Sequence, residues 1–167
     1  IKEFTCYQRL SLELINLNEL VLETLDLIHH EEFNIEIEYI LNLQEDLPKL
    51  YLDKIQIQQV MINLIRNSME AAEEAEIRLL KITIYTLLDL NQIYLKVIDS
   101  GPGVSEEIKS KIFEPNFSTK IHGLGIGLSI CESIIKAHGG KLMYDALALG
   151  SSFSFTLPVI NNINIAQ

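Results

Sequence analysis

The sequence has few of the residues that mark disulfide-bonded or membrane-spanning proteins. Among its 167 residues there is no tryptophan, and the two cysteines, Cys6 and Cys131, lie far apart without Cys-x-x-Cys spacing. Neither a disulfide framework nor a zinc site is indicated. No apolar run approaches the roughly 18 residues that cross a bilayer, and the N-terminus lacks a basic stretch followed by an apolar core. We therefore expect no membrane contact by this chain.

Basic residues are also scarce. Lysine and arginine number 13 against 23 acidic residues, which gives a formal net charge of -10. This balance argues against nucleic acid as a partner, because such partners select clustered positive charge. Because the net charge is negative, any anion that binds must be held by donor groups at its own site. The hydrophobic fraction of 48% supplies one buried core. We expect one main domain in the cytoplasm and leave open whether the full-length protein is membrane-anchored.

Glycine and proline are nearly absent from the first hundred residues. All eight glycines follow residue 100, and Pro48 is the one proline before it. Residues 16–31 have helical spacing of apolar residues, including Leu22, with Asn16 or Asn18 as the cap. Residues 33–39 alternate as a half-buried strand does, and residues 53–76 predict a long helix opened by Asp53.

The second half of the chain mixes helices with antiparallel hairpins. It is predicted to contain strands at 82–86 and 93–98, a short helix at 105–112, a helix at 124–138, and strands at 141–144 and 152–157. This combination predicts an α+β two-layer sandwich.

The long helix carries two asparagines beside its apolar arc. Asn63 and Asn67 lie one turn apart, so their amides point into one volume. Amide oxygens suit a magnesium ion whose other ligands are phosphates and waters. The alternative is a pair of ordinary helix-surface asparagines. Each asparagine makes a helix roughly 0.5 kcal/mol less stable than alanine would, which favours a functional role for the two residues.

Asp99 ends a predicted strand and begins the run Asp99-Ser-Gly-Pro-Gly103. A carboxylate fixed there can accept the exocyclic amine of adenine, while Gly101 and Gly103 allow a tight turn. An ordinary strand-to-turn aspartate is the alternative.

A third segment, Gly123-Leu-Gly-Ile-Gly127, precedes a predicted helix. Its glycines leave amide groups open to phosphate oxygens, and the helix N-terminus favours an anion. The spacing is neither the dinucleotide fingerprint nor a Walker loop. A flexible lid without a ligand is the alternative, and Lys120 either meets a terminal phosphate or faces solvent.

Together these segments resemble the catalytic ATP-binding domain of sensor histidine kinases, in the superfamily shared with gyrase, Hsp90 and MutL ATPases. Residues 59–71 are similar to the family's N box and residues 99–103 to its first glycine box. Residues 112–120 are similar to its F box, residues 123–128 to its second glycine box, and residues 150–158 to its last strand. The resemblance covers residues 16–158.

The resemblance implies a fold and a ligand set. The fold is a Bergerat-type sandwich, with a mixed, mostly antiparallel sheet covered on one face by about three helices. The ligands are ATP and Mg²⁺. By this resemblance Asn67 coordinates the metal, Asn63 lines the phosphate side, and Asp99 binds adenine with Ser151 or Ser152 supporting it. Asn63, Asn67 and Lys120 are the implied catalytic residues. The implied nucleotide-binding residues also include Gly101, Gly103, Gly123, Leu124, Gly125, Ile126, Gly127 and Leu128.

The activity that the resemblance implies is phosphoryl transfer to a protein. ATPase branches have a glutamate at the position of Asn63, and an amide cannot take a proton from water. The acceptor would be a histidine on a dimerisation domain of the same kinase, with a response regulator as the next partner. No acceptor motif is found: His29-His30 is not followed by a basic residue and proline. We expect residues 1–15 to be the end of the dimerisation helix and its linker, 16–158 the catalytic domain, and 159–167 a tail.

Two other functions stay open at this point. One is a serine kinase of the anti-sigma-factor type, and the other is a module that holds a nucleotide without using it. The roles of Arg66, Glu70 and His122 are undecided from the sequence.

Overall fold

The computed structural model describes residues 9–114 and 127–159, which form seven strands and four helices. In chain order these are β1 (Leu12–Ile15), α1 (Leu17–Ile28), β2 (Glu36–Leu43), β3 (Leu50–Asp53), α2 (Lys54–Glu74), β4 (Leu79–Asp89), β5 (Gln92–Asp99), α3 (Glu106–Lys109), α4 (Gly127–Ala137), β6 (Leu142–Ala146) and β7 (Ser151–Pro158). Within these ranges no helix has both the length and the apolar character that a bilayer span requires.

Both predicted helix caps are present. The Asn16 side chain accepts a hydrogen bond from the Glu19 amide at 3.2 Å at the start of α1. Asp53 accepts from the Gln56 amide at 3.2 Å at the start of α2 and, with its second oxygen, from the Ser11 amide at 3.0 Å. Asp53 therefore satisfies a backbone amide in the first turn of α2 and also fixes the backbone at Ser11, just before β1.

Removing the Asp53 cap should cost more than removing the Asn16 cap. We expect Asp53→Ala to lower the free energy of unfolding by about 2 kcal/mol and Asn16→Ala by about 1 kcal/mol or less, since caps contribute in this range. The difference arises because Asp53 serves two amides and is only 8% exposed. Urea denaturation of both variants measures it, and equal losses would contradict this account of Asp53.

His138 ties the end of α4 to the same point. Its Nε2 accepts a hydrogen bond from the Asp53 amide at 3.1 Å, and its Nδ1 lies 2.8 Å from the Ile134 carbonyl oxygen. Because a carbonyl can only accept, Nδ1 donates and carries the proton. The start of α2 and the end of α4 are thus joined through one buried imidazole.

The main sheet has the strand order β2-β4-β5-β7-β6. The β2–β4 pair is parallel, and the other three pairs are antiparallel. Strands β4 and β5 are joined at Leu90 and Asn91, whose φ angles of 46° and 61° fit a two-residue hairpin turn. Strands β1 and β3 pair separately with each other. The predicted mixed, mostly antiparallel α+β fold is confirmed.

Helix α2 supplies much of the core. Its predicted apolar arc is buried as expected: Val60, Met61, Leu64, Ile65 and Met69. The alternate residues Ile93, Leu95 and Val97 of β5 are buried with them, while their neighbours along the strand are partly exposed. This alternation places one face of the sheet against the helices.

Several details of the predicted elements were wrong, both in which residues are buried and in where strands begin and end. Leu22 is 49% exposed, because α1 buries Leu20, Val21 and Thr24, and residue 22 lies about 100° beyond Val21 around the helix. Strand β2 begins at Glu36 rather than 33, and β4 is longer than predicted. Strands β1 and β3 were not predicted, since four residues are too short to show a clear alternation.

Candidate functional site

Asp99 lies at the end of β5 and is held by two donors. Its side chain is 6% exposed. One carboxylate oxygen accepts a hydrogen bond from the Ser68 hydroxyl at 2.7 Å, and the other accepts from the Gly101 amide at 2.9 Å. Hydrogen bonds to a carboxylate are stronger than those between neutral groups. The Asp99 side chain is therefore fixed in one orientation between α2 and the turn after β5.

The chain around Asp99 leaves little room for a side chain at Gly101 and none at Gly150. A Cβ on Gly101 would lie 3.0 Å from the Asp99 carboxylate oxygen. Gly150 has a φ of +88°, and a Cβ there would lie 1.8 Å from the Asp99 carbonyl oxygen. Gly103 lies next to Gly150, since its own Cβ would be 3.0 Å from the Gly150 carbonyl oxygen. The predicted turn glycines are thus in place, and Gly150 is a further part of the site that was not predicted from the sequence.

The two candidate serines fall on opposite faces of the sheet. In the β5–β7 pair, Ser151 is the partner of Asp99, and Ser152 is the partner of Ile98. Directly paired residues project from the same face, and successive residues from opposite faces. Both serines are 5% exposed. The structure therefore brings Ser151 beside Asp99, whereas Ser152 projects from the other face of the sheet.

Asn63 and Asn67 lie on α2 and are half-buried. The Asn63 amide nitrogen donates a hydrogen bond to the Cys131 sulfur of α4 at 3.5 Å. Gly127 and Leu128 begin α4, one turn before Cys131. The two asparagines and the last residues of the glycine segment thus lie on the two neighbouring helices α2 and α4.

Ser68 joins these two groups of residues. It follows Asn67 directly and points to Asp99, so α2 contributes to both parts of the site. Ser68 was not among the site residues predicted from the sequence. The sequence did contain a signal for it, because a serine hydroxyl stands among the apolar residues of the buried face of α2. The Ser68 side chain is 4% exposed. Buried polar groups need a partner, and Asp99 is that partner.

Five predicted site residues lie outside the described ranges: Lys120, Gly123, Leu124, Gly125 and Ile126. His122 lies outside them as well.

Arg66 is paired with Glu31. Its guanidinium forms a two-point ion pair with the Glu31 carboxylate, including an Nε to oxygen distance of 3.1 Å. The hydrogen bond to Glu31 raises the pKa of Arg66. Burial raises the pKa of Tyr39 to about 12, and the charge of Glu31 adds to that rise. The Arg66–Glu31 ion pair connects α2 to the segment after α1.

The Cys131 side chain is fully buried. Burial raises the pKa of the Cys131 thiol to about 11, with an opposing contribution from the Asn63 hydrogen bond. A protonated, buried thiol is a poor nucleophile and a poor metal ligand. Among residues 9–114 and 127–159, no three His, Cys, Asp or Glu side chains are close enough to hold a metal ion. A metal here would need amide oxygens together with oxygens of its own ligand.

Comparison with known proteins places this arrangement in a family. Residues 52–161 match the family model described as histidine kinase-, DNA gyrase B- and HSP90-like ATPase. The chain is 38% identical over 162 residues to the sensor protein TdiS of Thauera aromatica, covering 95% of this chain and 30% of TdiS. It is 39% identical over 128 residues to the sensor protein FixL of Bradyrhizobium diazoefficiens, covering 76% of this chain and 25% of FixL. The chain thus spans less than a third of each relative.

Solved structures agree with the family match. The nucleotide-free catalytic domain of the histidine kinase ThkA superimposes with a TM-score of 0.78 at 37% identity, covering 89% of this chain and 96% of that domain. Full-length ShkA in complex with AMPPNP gives a TM-score of 0.74 at 25% identity, covering 90% of this chain and 31% of ShkA. The chain belongs to the histidine kinase-, DNA gyrase B- and HSP90-like ATPase family, and within it is an ATP-binding domain of the histidine kinase type.

Proposed function

We propose that this chain binds ATP with Mg²⁺ and donates the γ-phosphoryl group to a histidine on a dimerisation domain outside this sequence. In this role it is the catalytic part of a two-component sensor kinase. The observation that carries the proposal is the buried Asp99 carboxylate, held between Ser68 and the Gly101 amide at the end of β5.

Asp99 is proposed to bind adenine. Each of its oxygens accepts one hydrogen bond, and an ionised carboxylate has about four acceptor positions, so acceptor capacity remains for the exocyclic amine. Ser151 lies beside it on the same face of the sheet and is proposed to support the base. Gly101 and Gly103 keep the turn free of side chains where the base approaches. Ser152, on the opposite face, is the weaker candidate for this support.

The phosphates are proposed to lie near the junction of α2 and α4. Residues 123–128 would contact them through backbone amides, and Lys120 would meet the terminal phosphate. Asn63 and Asn67 offer amide oxygens, which suit Mg²⁺ when phosphates and waters complete its ligands. Asn67 would hold the metal directly. When bound, Mg²⁺ neutralises charge on the phosphates.

The side chain at position 63 favours transfer over hydrolysis. An amide cannot act as a general base toward water, so this chain lacks at that position the glutamate of the ATPase branches. Catalysis of phosphoryl transfer depends mainly on positioning and on charge stabilisation, which the proposed ligands of the phosphates and of Mg²⁺ would supply.

A response regulator is the proposed downstream partner. ThkA, whose catalytic domain superimposes on this chain, has also been solved in complex with the response regulator protein TrrA. In the longer kinase we propose that residues 1–15 lead from the dimerisation helix into the catalytic domain of residues 16–158, with residues 12–15 already paired to β3, and that residues 159–167 form a tail. Such a domain would work in the cytoplasm, where ATP is available.

The proposal is tested by phosphoryl transfer in trans. This chain is incubated with γ-labelled ATP, Mg²⁺ and the separately produced dimerisation domain of the kinase to which it belongs. The expected product is label on that domain that is lost in acid and kept in base, as for phosphohistidine. Acid-stable label would instead indicate a serine kinase, and nucleotide binding without any label would indicate a binding module.

Ser68 should matter for affinity because it orients Asp99. We expect Ser68→Ala to weaken ATP binding about three- to tenfold, roughly 0.7 to 1.4 kcal/mol, because only the part of this hydrogen bond that orients the carboxylate for the ligand enters the binding free energy. Calorimetric titration measures the change. The matched control is Ser133→Ala on α4, whose exposed hydroxyl donates to the Ser129 carbonyl at 3.0 Å and should leave the affinity unchanged. Equal affinities in both variants would argue against a role for Ser68.

A further inference from the structure

We propose that Cys131 is a positioning residue that fixes the orientation of the Asn63 amide, so that Asn63 presents its carbonyl oxygen to Mg²⁺ or to a water bound to it. The inference rests on the proposed function and deepens it. It assigns a role to a side chain that otherwise looks like part of the apolar core. It also decides which end of the Asn63 amide faces the ligand.

The orientation follows from the hydrogen bond between the two side chains. The Asn63 nitrogen donates to the Cys131 sulfur at 3.5 Å. Oxygen and nitrogen are bonded to the same carbon, so fixing the nitrogen on the sulfur turns the oxygen away from it. Cys131 is fully buried while Asn63 is half-buried, which directs the nitrogen inward and the oxygen outward. Only the oxygen can bind a hard cation.

The location of Cys131 supports a link to the ligand. Residues four apart on a helix lie on the same side, so Cys131 is stacked one turn after Gly127. Gly127 is the last glycine of the segment proposed to contact phosphate. The same side of α4 therefore carries the end of the phosphate segment and the partner that orients Asn63.

A purely structural role for Cys131 makes a different prediction. Ile134 and Ile135 of α4 are also buried, and a valine at position 131 would keep an apolar side chain there, larger than cysteine by one heavy atom. Valine removes the acceptor that holds the Asn63 nitrogen, whereas serine keeps an acceptor at the same position. If packing alone matters, Cys131→Val should be the milder change. If the orientation of Asn63 matters, Cys131→Ser should be the variant that changes Mg²⁺-dependent nucleotide binding less.

The test measures how strongly Mg²⁺ and nucleotide binding depend on each other. AMPPNP is titrated calorimetrically into the protein in saturating Mg²⁺ and again in EDTA, and the ratio of the two affinities is compared among variants. We expect Cys131→Val to reduce this ratio about three- to tenfold, the range given by one hydrogen bond, with the EDTA affinity unchanged. Cys131→Ser should keep the ratio near that of the parent.

A double-variant cycle separates orientation from packing. In an Asn63→Ala background the Mg²⁺ ratio should already be low, and adding Cys131→Val should lower it no further. Urea denaturation of each variant shows that the comparison is made on folded protein. The inference is overturned if Cys131→Val weakens binding equally in Mg²⁺ and EDTA, or leaves both unchanged while the parent binds. A parent that binds AMPPNP in neither medium would overturn the proposed function as well.

Discussion

Replacing Asp99 with asparagine is expected to weaken ATP-Mg²⁺ binding about a hundredfold. A hydrogen bond to a charged group is worth roughly 1.5 to 3 kcal/mol, and about 1.4 kcal/mol corresponds to a factor of ten. The Gly101 amide and the Ser68 hydroxyl both donate to the carboxylate, one to each oxygen. In the variant one of these oxygens becomes an NH₂ group, which faces an existing donor and no longer accepts from adenine.

The matched control is Asp89→Asn. Asp89 is also the last residue of its strand, β4, but it is exposed and lies at the hairpin end, where β5 begins. Its substitution removes the same charge from the protein and should change the affinity by less than about twofold, because exposed charges are well screened. Titration calorimetry on the parent and both variants gives the comparison. Retained affinity in Asp99→Asn would remove the basis for the adenine assignment.

Replacing Gly150 with alanine should cause the largest loss of stability that we predict, about 3 kcal/mol. The added Cβ would lie 1.8 Å from the Asp99 carbonyl oxygen, which is a backbone atom and cannot rotate away. The φ of +88° is a second penalty for any residue with a side chain. Overpacking alone costs about 1 to 3 kcal/mol, and backbone strain adds about 1 kcal/mol or more.

Gly127→Ala is the control for this change. Among the residues that the structure describes, no atom lies within 4 Å of a Cβ built there, and the residue is the first of α4. Alanine is a better helix former than glycine, so stability should stay the same or rise by up to about 1 kcal/mol. Urea denaturation with a common m-value measures both variants. A Gly150→Ala protein as stable as the parent would show that β7 can move away from Asp99 at little cost.

Local signals in the sequence predicted most of the elements that hold the site. Asn16 and Asp53 have the residue type and spacing of helix caps, and both cap the predicted helices. The apolar arc of α2 predicted its buried face because helical period alone determines which residues share a side. Asp99 was predicted at a strand end from the alternation that precedes it.

Long-range contacts could not be predicted in this way. Ser68 and Asp99 are 31 residues apart, and Asn63 and Cys131 are 68 apart, so neither pair is visible in a local pattern. The role of Gly150 depends on how closely β7 approaches β5, which is a property of the folded sheet. The paired residues of β1 and β3 are 35 to 41 positions apart in the sequence, and neither strand has a strong signal of its own.

The contacts of α4 with α2 also constrain how this domain can move. His138 joins the end of α4 to Asp53 at the start of α2, and Cys131 joins α4 to Asn63 further along. Because these two hydrogen bonds lie at different heights along α4, each opposes a rotation of α4 about the other. The first turn of α4, residues 127–130, lies before both contacts. That turn, which begins at Gly127, is therefore the part of α4 least constrained by these two contacts with α2.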